Sequence, residues 1–163
     1  MRPFKRYITI ALLVLMTALV SCRQASHHDE ARALYNKGVE LREAKQNEEA
    51  AKAFGAALVA IDRCDADDVE TKELKAETKD RLGEIYWLQG LFEEALELHL
   101  DASALFRELG KSEYLMKAYR NAGRAAASLN NLDDAEYYYY EALIIAKSLK
   151  ALSFNDFAII RAS

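Results

Sequence analysis

The side chains best suited to chemistry here are three imidazoles, a crowd of carboxylates, two thiols and one strip of cations. His99 stands near Glu93, Glu94 and Glu97, the residue types of general acid-base work. That chemistry needs a partner that orients the ring, and the chain has neither such a neighbour in sequence nor an HExxH pattern. His27 and His28 are adjacent, so they point in different directions, and no further ligands stand nearby. They read as solvated linker. Asp62, Asp65, Asp67, Asp68 and Glu70 invite calcium. A calcium loop, however, needs acids at alternating positions followed by a phased glycine and a distal glutamate. That phasing is missing, and the cluster reads as a turn whose acids cap the next helix. No metal, cofactor or catalytic residue is expected. Lys117, Arg120 and Arg124 are spaced three and four apart and share one helical face. Such a strip suits a carboxylate or an acidic peptide.

The elements that must carry these residues are clearest in Tyr119 to Lys147, YRNAGRAAASLNNLDDAEYYYYEALIIAK. Two helices fold back on each other across a polar turn. Ala122, Gly123 and Ala126 line the first, and Ala135, Tyr139 and Ala142 line the second at helical spacing. Gly123 inside a helix costs about 1 kcal/mol relative to Ala. Close approach of Gly123 to Ala135, nearly backbone to backbone, would offset that cost. The same offsets recur in Gly38, Ala50, Phe54 and Ala57, and in Gly83, Ala95, His99 and Ala102. Three copies, 45 and then 40 residues apart, make a short helical solenoid.

This pattern resembles the tetratricopeptide repeat (TPR). The middle copy, RLGEIYWLQGLFEEALELHLDAS, fits best, through Leu82-Gly83, Tyr86, Gly90, Phe92 and Ala95. Copy one departs at Lys37 and Asn47, and copy three at Ala122 and Ala126; the copy spacing exceeds the family's usual length. The resemblance covers residues 30–163. It implies an all-α, right-handed antiparallel helix-hairpin solenoid with repeats at 30–62, 68–110 and 112–150. On the same period Ser163 falls at the glycine of a fourth copy, so 153–163 reads as a partial fourth helix A or a capping helix. The resemblance also makes His99 a core imidazole and points Tyr139, and often Tyr138, inward. Tyr137 and Tyr140 are left exposed or covered by the segment from Phe154 to Ser163.

The chain starts MRPFKRYITIALLVLMTALVSC, with Arg2, Lys5 and Arg6 ahead of an apolar run from Tyr7 to Val20. The run is short of the about 20 residues a spanning helix needs, and residues 1–21 read as an export signal. Leu19-Val20-Ser21-Cys22 resembles the lipobox of bacterial lipoproteins. That resemblance implies a lipidated Cys22, a polar tether over 22–29 and a place in the bacterial cell envelope, anchored to a membrane. Arg23 lacks the aspartate that retains some lipoproteins at the inner membrane, which slightly favours the outer one. The formal charge is −4, and without Arg2, Lys5 and Arg6 it becomes −7. Cations and acids are mixed along the helices, which excludes a basic stripe for nucleic acid. With Cys22 lipidated, Cys64 has no intramolecular partner and reads as a semi-buried inter-repeat thiol.

In the TPR family the first helix of each repeat lines the concave face. By position this implies a protein or peptide partner bound by Tyr35, Asn36, Arg42, Glu84, Trp87, Lys117, Arg120, Asn121 and Arg124. Trp87, the one tryptophan, is the expected hot spot. The reading is a lipid-anchored, non-catalytic adaptor. The alternatives are the sensor region of a membrane-tethered TPR signalling protein, and an enzyme acting on glycan. The enzyme would need paired carboxylates or a nucleophile with its base, and the sequence supplies neither.

Overall fold

Ala, Leu, Glu, Lys and Arg dominate each long segment between short turns, and these residues lose little on entering a helix. The computed structural model describes residues 27–64 and 68–162, with side chains through residue 150. It holds α1 (27–43), α2 (Asn47–Asp62), α3 (Val69–Gln89), α4 (Phe92–Glu108), α5 (Ser112–Ser128) and α6 (Leu132–Ala162). Helices occupy nearly all the described chain, consistent with an all-α helix-hairpin solenoid. Each hairpin turns through a residue in the left-handed region: Lys45 (φ 61°), Gly90 (φ 81°) and Asn130 (φ 59°). Glycine takes that conformation without a Cβ penalty, and asparagine is the next best suited. Lys45 is neither.

From α2 onward each helix packs on the next, and α3 also touches α5. At the other end, α1 joins through Ala31, which meets Ala60, Ile61 and Leu74. Equivalent alanines are buried in all three hairpins: Ala50, Ala95 and Ala135, then Ala57, Ala102 and Ala142. Small side chains there let the helices close up. The glycines have a different job from the one the spacing suggests. A Cβ at Gly38 would lie 2.7 Å from the Phe54 ring, one at Gly83 2.9 Å from His99, and one at Gly123 2.9 Å from Tyr139. Each glycine seats the ring sixteen residues later. Gly123 therefore accommodates Tyr139 rather than drawing Ala135 to its backbone.

Two further expectations change. His27 and His28 lie in the first turns of α1, not in a solvated tether. The His27 ring sits 3.5 Å from Glu30 one turn later, and His28 Nε2 lies 3.8 Å from Glu70. The backbone also shows no break near residue 150: α6 runs unbroken to Ala162, so 153–162 continue it instead of starting a fourth hairpin. No glycine or proline follows Gly123 in the sequence to stop the helix. The export signal, Cys22 and the first part of the tether lie outside the described residues, as do Asp65, Ala66 and Asp67. Among the described residues, no helix is long and apolar enough to cross a membrane.

Candidate functional site: a groove lined by the first helices

The side-by-side placement of α1, α3 and α5 puts one turn-spaced row from each helix around a common groove. Tyr35 comes from α1. Glu77, Asp80, Arg81 and Glu84 come from α3, at spacings of three, one and three. Tyr114, Lys117, Arg120 and Asn121 come from α5. Phe106 of α4 closes the floor, stacked on Tyr114 at 5.2 Å, and the groove encloses about 300 Å³. Five of the nine residues expected on the concave face therefore meet in one place: Tyr35, Glu84, Lys117, Arg120 and Asn121.

The walls differ in charge. On the α3 side, Glu84 takes Arg42 at 2.8 Å and Arg81 at 3.5 Å. Burial alone would weaken the charge on Arg81, but Glu84 and the Tyr35 hydroxyl more than offset it and hold its pKa above the ordinary value. Burial, aided by the Glu77 carboxylate, pushes the Tyr35 hydroxyl upward, so it stays a neutral donor. On the α5 side, Lys117 lies over the Tyr114 ring at 5.3 Å, and Arg120 is exposed. Among the described residues, neither Lys117 nor Arg120 sits in an ion pair. The arrangement presents two uncommitted cations beside a row of carboxylates that already have partners.

The remaining expected positions are placed otherwise. Asn36 is exposed on α1 and does not line the groove. Arg42 reaches it only through Glu84. Trp87 donates from Nε1 to the Ser128 hydroxyl at 3.0 Å, and the Arg124 guanidinium lies 4.1 Å from the indole centre. Phe92 closes the other side at 6.3 Å. Trp87 and Arg124 thus lock α3 to α5, a contact of about 0.5–2 kcal/mol, and Arg124 leaves the strip with Lys117 and Arg120. Asn121 is buried, and its amide donates to Asp80 Oδ1 at 3.3 Å. It braces the groove floor instead of facing a partner.

That same Asp80 oxygen accepts from His99 Nδ1 at 2.7 Å. The orienting partner that the sequence seemed to lack therefore exists, nineteen residues earlier on α3. The His99 ring is nonetheless fully buried. Its Nε2 has no hydrogen-bond partner among the described residues and abuts Gly83, where a Cβ would fall 3.0 Å away. A substrate has no route to it. Asp80 is a tie between α3, α4 and α5, not a base in wait. The described acids of the turn are likewise divided among separate partners. Asp68 caps α3 by accepting from the Thr71 amide at 2.9 Å, Asp62 pairs with Lys75 at 2.7 Å, and Glu70 faces Arg32 at 3.5 Å. Cys64 is buried and donates to the Ala60 carbonyl at 3.4 Å, and burial pushes its thiol up.

Five lining residues stand outside the nine expected: Glu77, Asp80, Arg81, Phe106 and Tyr114. Arg81 and Tyr114 each lie one helical turn before a residue in the set, Glu84 and Lys117, and Glu77 lies one turn further up the Glu84 row, so extending those rows would have found them. Phe106 comes from α4, which the expected concave face did not include.

Taken together, the helix hairpins and their shared groove define a helical-repeat scaffold. Residues 74–148 match the family model described as Tetratricopeptide repeat. The fold is similar to the N-terminal domain of stress-induced protein-1 (STI-1) from C. elegans, at 20% identity and a TM-score of 0.59. That match covers 78% of this chain and 97% of that one. It is also similar to BtubC (BKLC) from P. vanneervenii, at 18% identity and a TM-score of 0.66, covering 90% of this chain. This chain spans 59% of the length of BtubC. No curated protein matches in sequence. At such identities the likeness carries the fold.

Proposed function

We propose that this chain is a non-catalytic adaptor of the bacterial cell envelope, anchored through lipid on Cys22 and binding a protein or peptide partner in the α1/α3/α5 groove. The observation that carries the reading is the pair Lys117 and Arg120, uncommitted cations on a wall of an otherwise internally paired groove. An acidic side chain or a terminal carboxylate on the partner is the group they would take, through charge-assisted hydrogen bonds. The anchoring half rests on the lipobox-like Leu19-Val20-Ser21-Cys22 and the export-like segment before it.

The test is a crosslinked pull-down of the tagged full chain from native membranes, beside Lys117→Glu/Arg120→Glu. Both residues are exposed, so reversal leaves folding intact and should lower recovery of the partner at least about tenfold. A partner recovered equally from both proteins moves the contact elsewhere, and no partner in either removes the adaptor reading. Cys22→Ser should release the chain from sedimented membranes. Unchanged sedimentation would remove the lipid anchor while leaving the groove untouched.

A further inference from the structure

The outer face of α6 carries Leu132, Tyr137, Tyr140, Leu143 and Ile144, all exposed, and beside them the Tyr139 ring, seated on Gly123 at its inner edge, leaves its other edge open. Forty residues earlier, at the positions of Tyr139 and Leu143, stand His99 and Ser103, in the hairpin that α5 packs against. Those two are 0% and 5% exposed, whereas Tyr139 and Leu143 are 42% and 48% exposed. The part of this face that a helix covers in the second repeat, at Tyr139 and Leu143, is therefore open in the third, while Tyr137 and Ile144 answer to Glu97 and Ala104, which are exposed in the second repeat too. Isolated apolar residues on a surface are ordinary, but a contiguous set marks an interaction site.

The charges on this face indicate the occupant. Glu136, Tyr140, Leu143 and Lys147 are spaced four, three and four, so they form one stripe that reads the same in both directions. Its ends carry opposite charges and its middle is apolar. A parallel copy would set Glu136 against Glu136. An antiparallel copy sets Glu136 against Lys147 twice, and it matches Tyr140 with Leu143. A uniformly acidic or basic segment would satisfy one end and be repelled at the other.

We propose that two copies of this chain pair through α6, antiparallel about a two-fold axis between Glu141 and Ala142. The contact is isologous, the same patch serving both copies. Six side chains per copy, each giving up roughly 100 Å², remove on the order of 600 Å² per protomer. That is below the usual specific interface, so the pair is reversible, with a Kd of about micromolar. The proposal stands independently of the groove.

The test uses an equal mixture of isotope-labelled and unlabelled full chain in nonionic detergent, treated with a zero-length carboxyl–amine crosslinker. Within one molecule Glu136 and Lys147 are eleven residues apart on one helix, about 16 Å, out of reach of such a reagent. The expected product is a Glu136–Lys147 crosslink joining a labelled to an unlabelled peptide. Glu136→Lys alone and Lys147→Glu alone should each lower non-covalent dimer, read by sedimentation velocity, about tenfold. The double reversal should restore it to within about twofold, with helix content unchanged throughout. Two results overturn the proposal. A chain that stays monomeric at high micromolar concentration leaves the face to a partner protein's helix or to a further segment of a longer chain. A dimer indifferent to both single reversals places self-contact elsewhere.

Discussion

Gly55→Ala and Gly83→Ala are the same change inside two helices, and the structure sets them moving in opposite directions. At Gly55, in α2, an added Cβ meets nothing within 4 Å. Alanine there gains only the helix preference, about 1 kcal/mol. At Gly83, in α3, the Cβ lands 2.9 Å from His99 Cε1, 3.0 Å from Nε2 and 3.1 Å from Nδ1. Ordinary carbon contact begins near 3.5 Å, so the ring must retreat by roughly 0.5 Å or more. It has nowhere to go, because it is fully buried and tied to Asp80 at 2.7 Å. Overpacking of this kind costs about 1–3 kcal/mol, and stretching a hydrogen bond to a carboxylate adds about 1 kcal/mol. After the helix gain is subtracted, Gly83→Ala should lose about 2 kcal/mol. The two variants should then differ by about 3 kcal/mol in urea unfolding followed by far-ultraviolet circular dichroism, with similar slopes. If Gly83→Ala proves as stable as Gly55→Ala, the ring does not fill the space above Gly83, and the glycine-to-ring account of all three repeats fails with it.

Two other substitutions test local chemistry. Lys45 holds φ 61° where the second hairpin uses Gly90, so Lys45→Gly should raise stability by about 1 kcal/mol, and a loss in thermal melting would refute the strain. At Asp68, the Thr71 amide, donating at 2.9 Å, holds the carboxyl below its usual range. A lowered pKa means its stabilisation is complete above the unfolded value of about 4 and disappears as pH falls through the folded one. Asp68→Ala should therefore cost about 1 kcal/mol at neutral pH, and the gap to the parent should close below about pH 4. A gap that persists in acid would point to something other than the ionised cap.

The all-α hairpin solenoid was legible because it is written in small residues at fixed offsets, and small residues act locally wherever two helices meet. The bounds of α3 could be read for the same reason: Asp68 caps its start, and Gly90 in the left-handed region ends it. What could not be read was partnership across helices. Nothing near His99 in sequence announces Asp80, and nothing near Trp87 announces that Arg124, thirty-seven residues on, will leave its cationic strip to cover the indole. Helical spacing says which residues share a face of one helix. It does not say which of them the neighbouring helix will claim. Residues 153–163 misled in the other direction: a forty-residue period suggested a new helix there, while a segment without glycine or proline had no physical reason to stop the old one.

That division of polar groups decides how binding and folding can be separated in this molecule. Half-buried Asp80, on the groove wall, accepts from the buried His99 and Asn121 side chains, and removing the carboxylate would strand two donors away from water. Unsatisfied buried donors cost about 1–3 kcal/mol each, so a variant at Asp80 would lose partner binding and the scaffold together and explain neither. Lys117 and Arg120 are exposed and hold no ion pair among the described residues. Their removal withdraws charge from the groove without withdrawing support from a helix. On the proposed adaptor reading, a scaffold fixed from within, with Lys117 and Arg120 outside that network, can change its partner by surface substitution alone. On this reading α5 is the helix on which such changes would accumulate, while α3, whose carboxylates hold the repeats together, would not tolerate them.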